Sequence, residues 1–210
     1  MIYLHGFASS AGSSKAAYLG GRLAEHGIEF HAPDLNLPHF STLTVTRMLE
    51  QTRRVMDTAA EPVTLIGSSL GGFVAVNAAA AWPERVKNLV LMAPALDFNA
   101  SGLSGPGGAS LADWKRAGSL NVFHYAFGRV MPIHYELYED ARRYDALNAD
   151  LKMPVMVFQG RRDTAVNPTT VEAWARRRPN VELHMLDDDH QLTASLPYIW
   201  EKLAALNLTY

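Results

Sequence analysis

Six short apolar runs recur along the chain, each separated from the next by a longer segment. They are "IYLHG" (2–6), "IEFHAP" (28–33), "PVTLIG" (62–67), "NLVLMAP" (88–94), "PVMVFQG" (154–160) and "VELHMLD" (181–187). Several are apolar at nearly every position, the pattern of parallel strands covered on both faces. Glycine or proline closes most of them, and both residues stop strands. The intervening segments read as helices. Residues 13–26 carry Ala16, Ala17, Leu19 and Leu23 at helical spacing, and 42–59 place Leu43, Val45, Leu49, Val55 and Met56 on one broad face. An Ala-rich helix is expected over 70–81, and two more over 168–178 and 193–206. Pro168 and Thr193 suit helix N-termini, and Pro83 and Pro179 close the helices before them. This alternation predicts an α/β fold: a mainly parallel sheet of about six strands with helices on both faces. The 210 residues fit a single domain.

One segment breaks the rhythm. Residues 97–150 are too long for a single crossover and open with the Gly/Ser-rich "NASGLSGPGGAS". They continue with Trp114, Phe123, Tyr125, Phe127, Tyr135, Tyr138 and Tyr144. Such an excursion reads either as a small cap of insertion helices over a pocket or as ordinary packing of a large crossover.

Composition narrows the chemistry. Without cysteine there is no disulfide, thiolate nucleophile or Cys-ligated zinc. A net charge of -2 gives no reason to expect nucleic acid or an anionic membrane as partner. No apolar run is long enough to span a bilayer, and "MIYLHGFASS" lacks the pattern of a signal peptide. A cytoplasmic protein is the expectation. No metal-binding spacing is present and no cofactor is expected.

The stretch "VTLIGSSLGGF" (63–73) carries the sharpest local signal. It joins a strand to a helix through two serines. A side chain at the apex of such a turn is pushed out at the carboxyl edge of the sheet. The residues two before and two after it crowd together, which calls for glycine at both places. Centred on Ser69, the flanks are Gly67 and Gly71; centred on Ser68, they are Ile66 and Leu70. The pattern G-x-S-x-G therefore selects Ser69 as a nucleophile and leaves Ser68 a supporting role, through packing or a hydrogen bond. A Gly-rich packing turn is the plain alternative. A phosphate loop fits poorly, because the Lys-Ser/Thr of a P-loop is absent.

A serine nucleophile needs a base, and the base needs an acid to orient it. Asp163 follows the strand 154–160 and His190 follows the strand 181–187, which puts both at the carboxyl edge where Ser69 sits. Asp97 is a rival acid. Asp187, Asp188 and Asp189 adjoin His190 too closely along the chain to reach its far ring nitrogen, and are expected to cap the turn or face water. Among the other histidines, His124 and His134 fall in the excursion and could touch substrate. An oxyanion is expected to meet the N–H of Leu70 and that of Phe7, freed by a turn at Gly6, with His5 bracing the loop. The ring of Phe7 either lines an acyl pocket or packs.

"YLHGF", "GSSLGG", "GRRDTAV" and "DDDHQL" together resemble the α/β-hydrolase superfamily over the whole chain. The first two also resemble the small bacterial esterases of the YqiA/YcfP-like group. The resemblance implies Ser69 as nucleophile, Asp163 as acid, His190 as base, and Phe7 and Leu70 as backbone donors. It also implies a start directly at the oxyanion-loop strand, without the leading antiparallel strands of larger members. The expected function is a serine carboxylesterase acting on a small-molecule ester or thioester. The same residues could serve a thioesterase, peptidase or acyltransferase, or persist in a non-catalytic binding protein.

Overall fold

The computed structural model describes residues 1–99 and 110–207. The Gly/Ser-rich opening of the long excursion (100–109) lies outside them. In chain order the first half holds β1 (Ile2–Leu4), α1 (Ser14–Glu25), α2 (Val45–Thr58), β2 (Val63–Ser68), α3 (Leu70–Ala81) and β3 (Val86–Met92). The excursion contributes α4 (Leu111–Ala117), β4 (Ser119–His124), β5 (Arg129–His134) and α5 (Glu136–Ala141). Then come β6 (Val155–Gly160), α6 (Pro168–Arg176), β7 (Val181–Leu186) and α7 (Leu196–Asn207).

Five strands form one sheet in the order β1-β2-β3-β6-β7, and every pairing in it is parallel. The period of two along each strand sorts side chains to opposite faces. Leu65, Leu89, Leu91, Val155 and Val157 share one core with α2, α3 and α6. Tyr3, Ile66, Val90, Met156 and Phe158 share the other with Leu19 of α1 and Ile199 and Leu203 of α7. Each fully buried aliphatic or aromatic side chain stabilises the fold by roughly 1.5–3 kcal/mol. Helix α3 is buried at nine of its residues, including Ala75, Ala78 and Ala79. Its small side chains let it lie close on β2.

The sheet has five strands rather than six. Segment 28–33 runs beside β1 but makes a single bridge, between Ile2 and His31. Two backbone bonds hold it there: Tyr3 N–H to the His31 carbonyl at 2.8 Å and His31 N–H to the Met1 carbonyl at 2.9 Å. Beyond His31 the ladder stops. Pro33 has no N–H to offer, and the Leu35 N–H donates to the side chain of His5 instead, at 3.0 Å.

The excursion contains a β-hairpin as well as helices. β4 and β5 pair antiparallel from Ser119↔His134 to His124↔Arg129, and Gly128 supplies a positive φ of 61° in the turn. Val122, His124 and Ile133 are buried, whereas Phe123, Tyr125 and Val130 are exposed. Trp114 of α4 donates its indole N–H to the Ile133 carbonyl at 3.1 Å, which docks the helix on the hairpin. The hairpin is also tied to the loop after β1, through Tyr125 N–H and the Ala8 carbonyl at 3.0 Å.

Candidate active site

At the carboxyl edge of β2 the chain turns sharply into α3. Ser69 forms the apex, with φ 54° and ψ −119°. Its N–H donates to the Met92 carbonyl at 3.0 Å, and its own carbonyl accepts from Gly72 at 2.8 Å and Ala95 at 3.1 Å. These bonds hold a conformation that costs a non-glycine residue free energy. The flanking glycines are sterically required. A Cβ on Gly67 would lie 2.7 Å from both Gly72 Cα and Ala75 Cβ, and one on Gly71 would lie 2.6 Å from the His5 carbonyl oxygen. Gly71 thus answers to the end of β1 as well as to its own turn. Ala8, Ala93 and Leu192 also have positive φ. Ser69 and Ala93 directly follow β2 and β3, and Ala8 and Leu192 lie in the loops after β1 and β7, all on the carboxyl side of the sheet.

Two distant loops converge on this serine. His190, after β7, places Nε2 3.1 Å from Ser69 Oγ. Its Nδ1 lies 2.8 Å from Asp163 Oδ2, in the loop after β6. The carboxylate can only accept, so Nδ1 carries the proton and Nε2 presents its lone pair to the hydroxyl. The Asp163 side chain is fully buried, against 20% exposure for His190. Burial pushes its pKa up, but hydrogen bonds from His190, Val166 and Gln159 outweigh this and hold the carboxyl below its ordinary range. Oδ1 accepts from the N–H groups of Ala165 and Val166, both at 2.8 Å, and Oδ2 accepts from Gln159 Nε2 at 3.0 Å.

The rival acids lie elsewhere. His190 meets Asp163, and Asp97 sits in the loop after β3. Asp187 pairs with Arg162. Asp188 accepts from the N–H and hydroxyl of Ser195, both at 2.9 Å, and Asp189 accepts from Gln191 N–H at 2.8 Å. All three aspartates therefore build the turn around His190.

The loop after β1 passes directly over the serine. A Cβ on Gly6 would lie 3.1 Å from Ser69 Cβ, which brings Phe7 beside it. The Leu70 N–H stands at the N-terminus of α3, where no intrahelical carbonyl accepts it. His5 donates from Nδ1 to the Gly6 carbonyl at 2.9 Å and accepts from Leu35 N–H at Nε2. Burial lowers its pKa, which favours this neutral form. The Phe7 ring packs 5.4 Å from that of Phe40. His124 is buried between Phe40 and Phe127, at 4.6 and 4.1 Å between ring centres, and is a core residue. His134 lies on the exposed strand face. Ser68 is buried, and its side chain and that of Ser13 neighbour the Tyr3 hydroxyl, whose pKa burial raises.

Two residues of the site went unread in the sequence. Gln159 is fully buried beside Asp163; its signal was an amide at the end of an otherwise apolar run. Gly160 lies so close to the His190 loop that a Cβ would come within 2.5 Å of the Asp189 carbonyl oxygen. Among the described residues no group of three or more His, Cys, Asp or Glu could hold a metal ion, and no helix is long and apolar enough to cross a membrane.

Comparison with known proteins places the chain. The model of a family described as an uncharacterised protein family, UPF0227, matches residues 1–207. The chain belongs to the UPF0227 family. This is the YqiA-like group that the motifs resemble. No curated protein matches. Solved structures similar to this UPF0227 chain share the α/β-hydrolase fold. Est1E from Butyrivibrio proteoclasticus, with ferulic acid bound, has a TM-score of 0.85 at 20% identity, over 99% of this chain and 87% of that one. The mouse α/β hydrolase domain-containing protein 10 has a TM-score of 0.79 at 23% identity, over 98% and 88%. A monoacylglycerol lipase of Paleococcus ferrophilus has 0.75 at 17% identity, over 97% and 93%.

Proposed function

We propose that this UPF0227 chain is a serine-dependent carboxylic ester hydrolase acting on small-molecule esters or thioesters without a cofactor. The reading is carried by one observation, the relay Ser69 Oγ···His190 Nε2 at 3.1 Å and His190 Nδ1···Asp163 Oδ2 at 2.8 Å. In this reading His190 takes the Ser69 proton as the oxygen attacks the acyl carbonyl. Asp163 holds the imidazole in the required tautomer and stabilises its charged form. The N–H groups of Leu70 and Phe7 receive the oxyanion as the carbonyl becomes tetrahedral. Collapse expels the alcohol or thiol, which takes the proton from His190, and leaves an acyl group on Ser69. Water, deprotonated by the same imidazole, then releases the acid and restores the serine. The lipase among the similar structures supports ester cleavage, and the positive φ of Ser69, with three more at or after the neighbouring strands, supports a site built for chemistry rather than packing.

Reaction with a fluorophosphonate probe, followed by an ester and thioester panel, tests the reading. Labelling is expected at Ser69 in the folded protein and in Ser68→Ala, and not in Ser69→Ala. Oxygen-ester and thioester rates then separate the two substrate classes. An unlabelled wild type with no hydrolysis in the panel would instead favour a binding protein.

A further inference from the structure

Lys15 stands in the first turn of α1, where a cation faces the positive end of the helix dipole. It is nevertheless only 7% exposed. Burying a charge costs free energy unless partners compensate. Here the partners all come from the site. Lys15 Nζ donates to the main-chain carbonyl of His190 at 3.3 Å. Asp163 from the loop after β6, and Asp189 and Asp188 from the loop after β7, attract it. Burial lowers its pKa to about 8, with these three carboxylates opposing the shift.

The same helix start is also connected to the serine. Ser13 caps α1 by accepting from Ala16 N–H at 3.3 Å, and the Tyr3 hydroxyl neighbours the side chains of both Ser13 and Ser68, the residue before Ser69. The first turn of α1 therefore adjoins the serine turn, by way of Tyr3, and bonds the histidine loop, through Lys15.

We propose that Lys15 is a positioning residue, whose ammonium clamps the His190 loop onto α1 and so fixes the imidazole opposite Ser69. The catalytic consequence rests on the esterase reading above; the clamp itself does not. Charged, Lys15 makes a charge-assisted hydrogen bond and attracts three carboxylates. Deprotonated, it keeps only a weak neutral donor. Activity therefore falls as the pH rises through about 8. Stability moves the other way. The folded pKa lies below the unfolded one, so between them the unfolded chain binds more protons and folding gains as pH rises. An alkaline loss of activity from Lys15 is thus distinct from alkaline unfolding.

The test compares wild type, Lys15→Met and Lys15→Arg in two ways. Hydrogen exchange at neutral pH reads the clamp directly: amides of 187–192 are expected to exchange faster in Lys15→Met, with β2 and β3 unchanged. The pH profile of Ser69 labelling and ester turnover reads its consequence. Wild type is expected to lose rate above about pH 8, and Lys15→Arg, charged throughout, to keep its rate there. Lys15→Met is expected to run about tenfold lower in kcat at all pH, with KM little changed. Unchanged exchange in 187–192, or an alkaline limb that persists in Lys15→Arg, overturns the proposal. If Lys15→Met does not fold, the wild-type and Lys15→Arg pH profiles still decide it. If wild-type Ser69 is inert to label and substrate, the esterase reading fails while the exchange result still judges the clamp.

Discussion

Gln159 Nε2 and His190 Nδ1 meet the same oxygen of Asp163, at 3.0 and 2.8 Å. Gln159 is the last side chain of β6 before Gly160, so the sheet itself aims the carboxylate. Replacing it with leucine removes a donor from a buried charge. A hydrogen bond to an ionised group contributes roughly 1.5–3 kcal/mol, and Gln159→Leu is expected to destabilise the protein within that range. Urea unfolding reads the loss, and Ser69 labelling is expected to slow because Asp163 is held less firmly.

The same carboxylate sets an acid limit. Hydrogen bonds hold Asp163 below its ordinary pKa despite burial. Its contribution to stability is therefore complete above the unfolded aspartate value and is lost as pH falls through the lower folded value, because the unfolded chain protonates first. Urea midpoints measured from pH 5 downward are expected to fall for wild type and to fall less steeply for Asp163→Asn. Equal slopes would show that Asp163 is not the group responsible.

Strain at the serine turn predicts a trade between stability and chemistry. Ser69 has φ 54° and ψ −119°, a sparsely populated conformation that costs a non-glycine residue about 1–3 kcal/mol and glycine far less. Glycine gives back roughly 0.4–1 kcal/mol through the entropy of the unfolded chain. Ser69→Gly is expected to be more stable than wild type by up to about 2 kcal/mol and inert to the fluorophosphonate. A melting temperature below wild type would contradict this account of the turn.

Gly160 offers a way to move His190 without touching it. The Cβ of alanine would come 2.6 Å from the Asp188 carbonyl oxygen, and backbone cannot yield as a flexible side chain does. Gly160→Ala is expected to cost about 1–3 kcal/mol of stability and to reduce labelling of Ser69 by about a hundredfold, since displacement near 1 Å suffices for that. A fully active Gly160→Ala would mean that the loop adapts freely.

The elements closest to the chemistry were the most legible in sequence. The helix expected over 70–81 is α3 at Leu70–Ala81, because Ala-rich propensity and the preceding glycines agree there. The strand expected over 28–33 shrank to one bridge at His31: its apolar pattern was real, but Pro33 and the diversion of the Leu35 N–H to His5 ended the ladder. The hairpin at 119–134 departs from the cap of insertion helices expected from the length and position of the excursion. Its alternation is masked by His124, a polar residue that faces inward between two rings.

By itself, the sequence determined what depends on neighbours along the chain. Strand–helix alternation follows from local periodicity, and Ser69 is selected over Ser68 because Gly67 and Gly71 answer a local crowding. It also offered Asp163 and His190, with Asp97 open as a rival. Only the tertiary structure decided which acid oxygen faces the imidazole, that Gln159 shares it, and that Lys15 reaches the His190 carbonyl. Two of those contacts join elements far apart in sequence, and even Gln159 and Asp163, four residues apart, meet only because the loop after β6 folds back. They arise from the parallel sheet, which brings the carboxyl ends of β1, β2, β6 and β7 to one edge, and no local pattern records which side chains then touch.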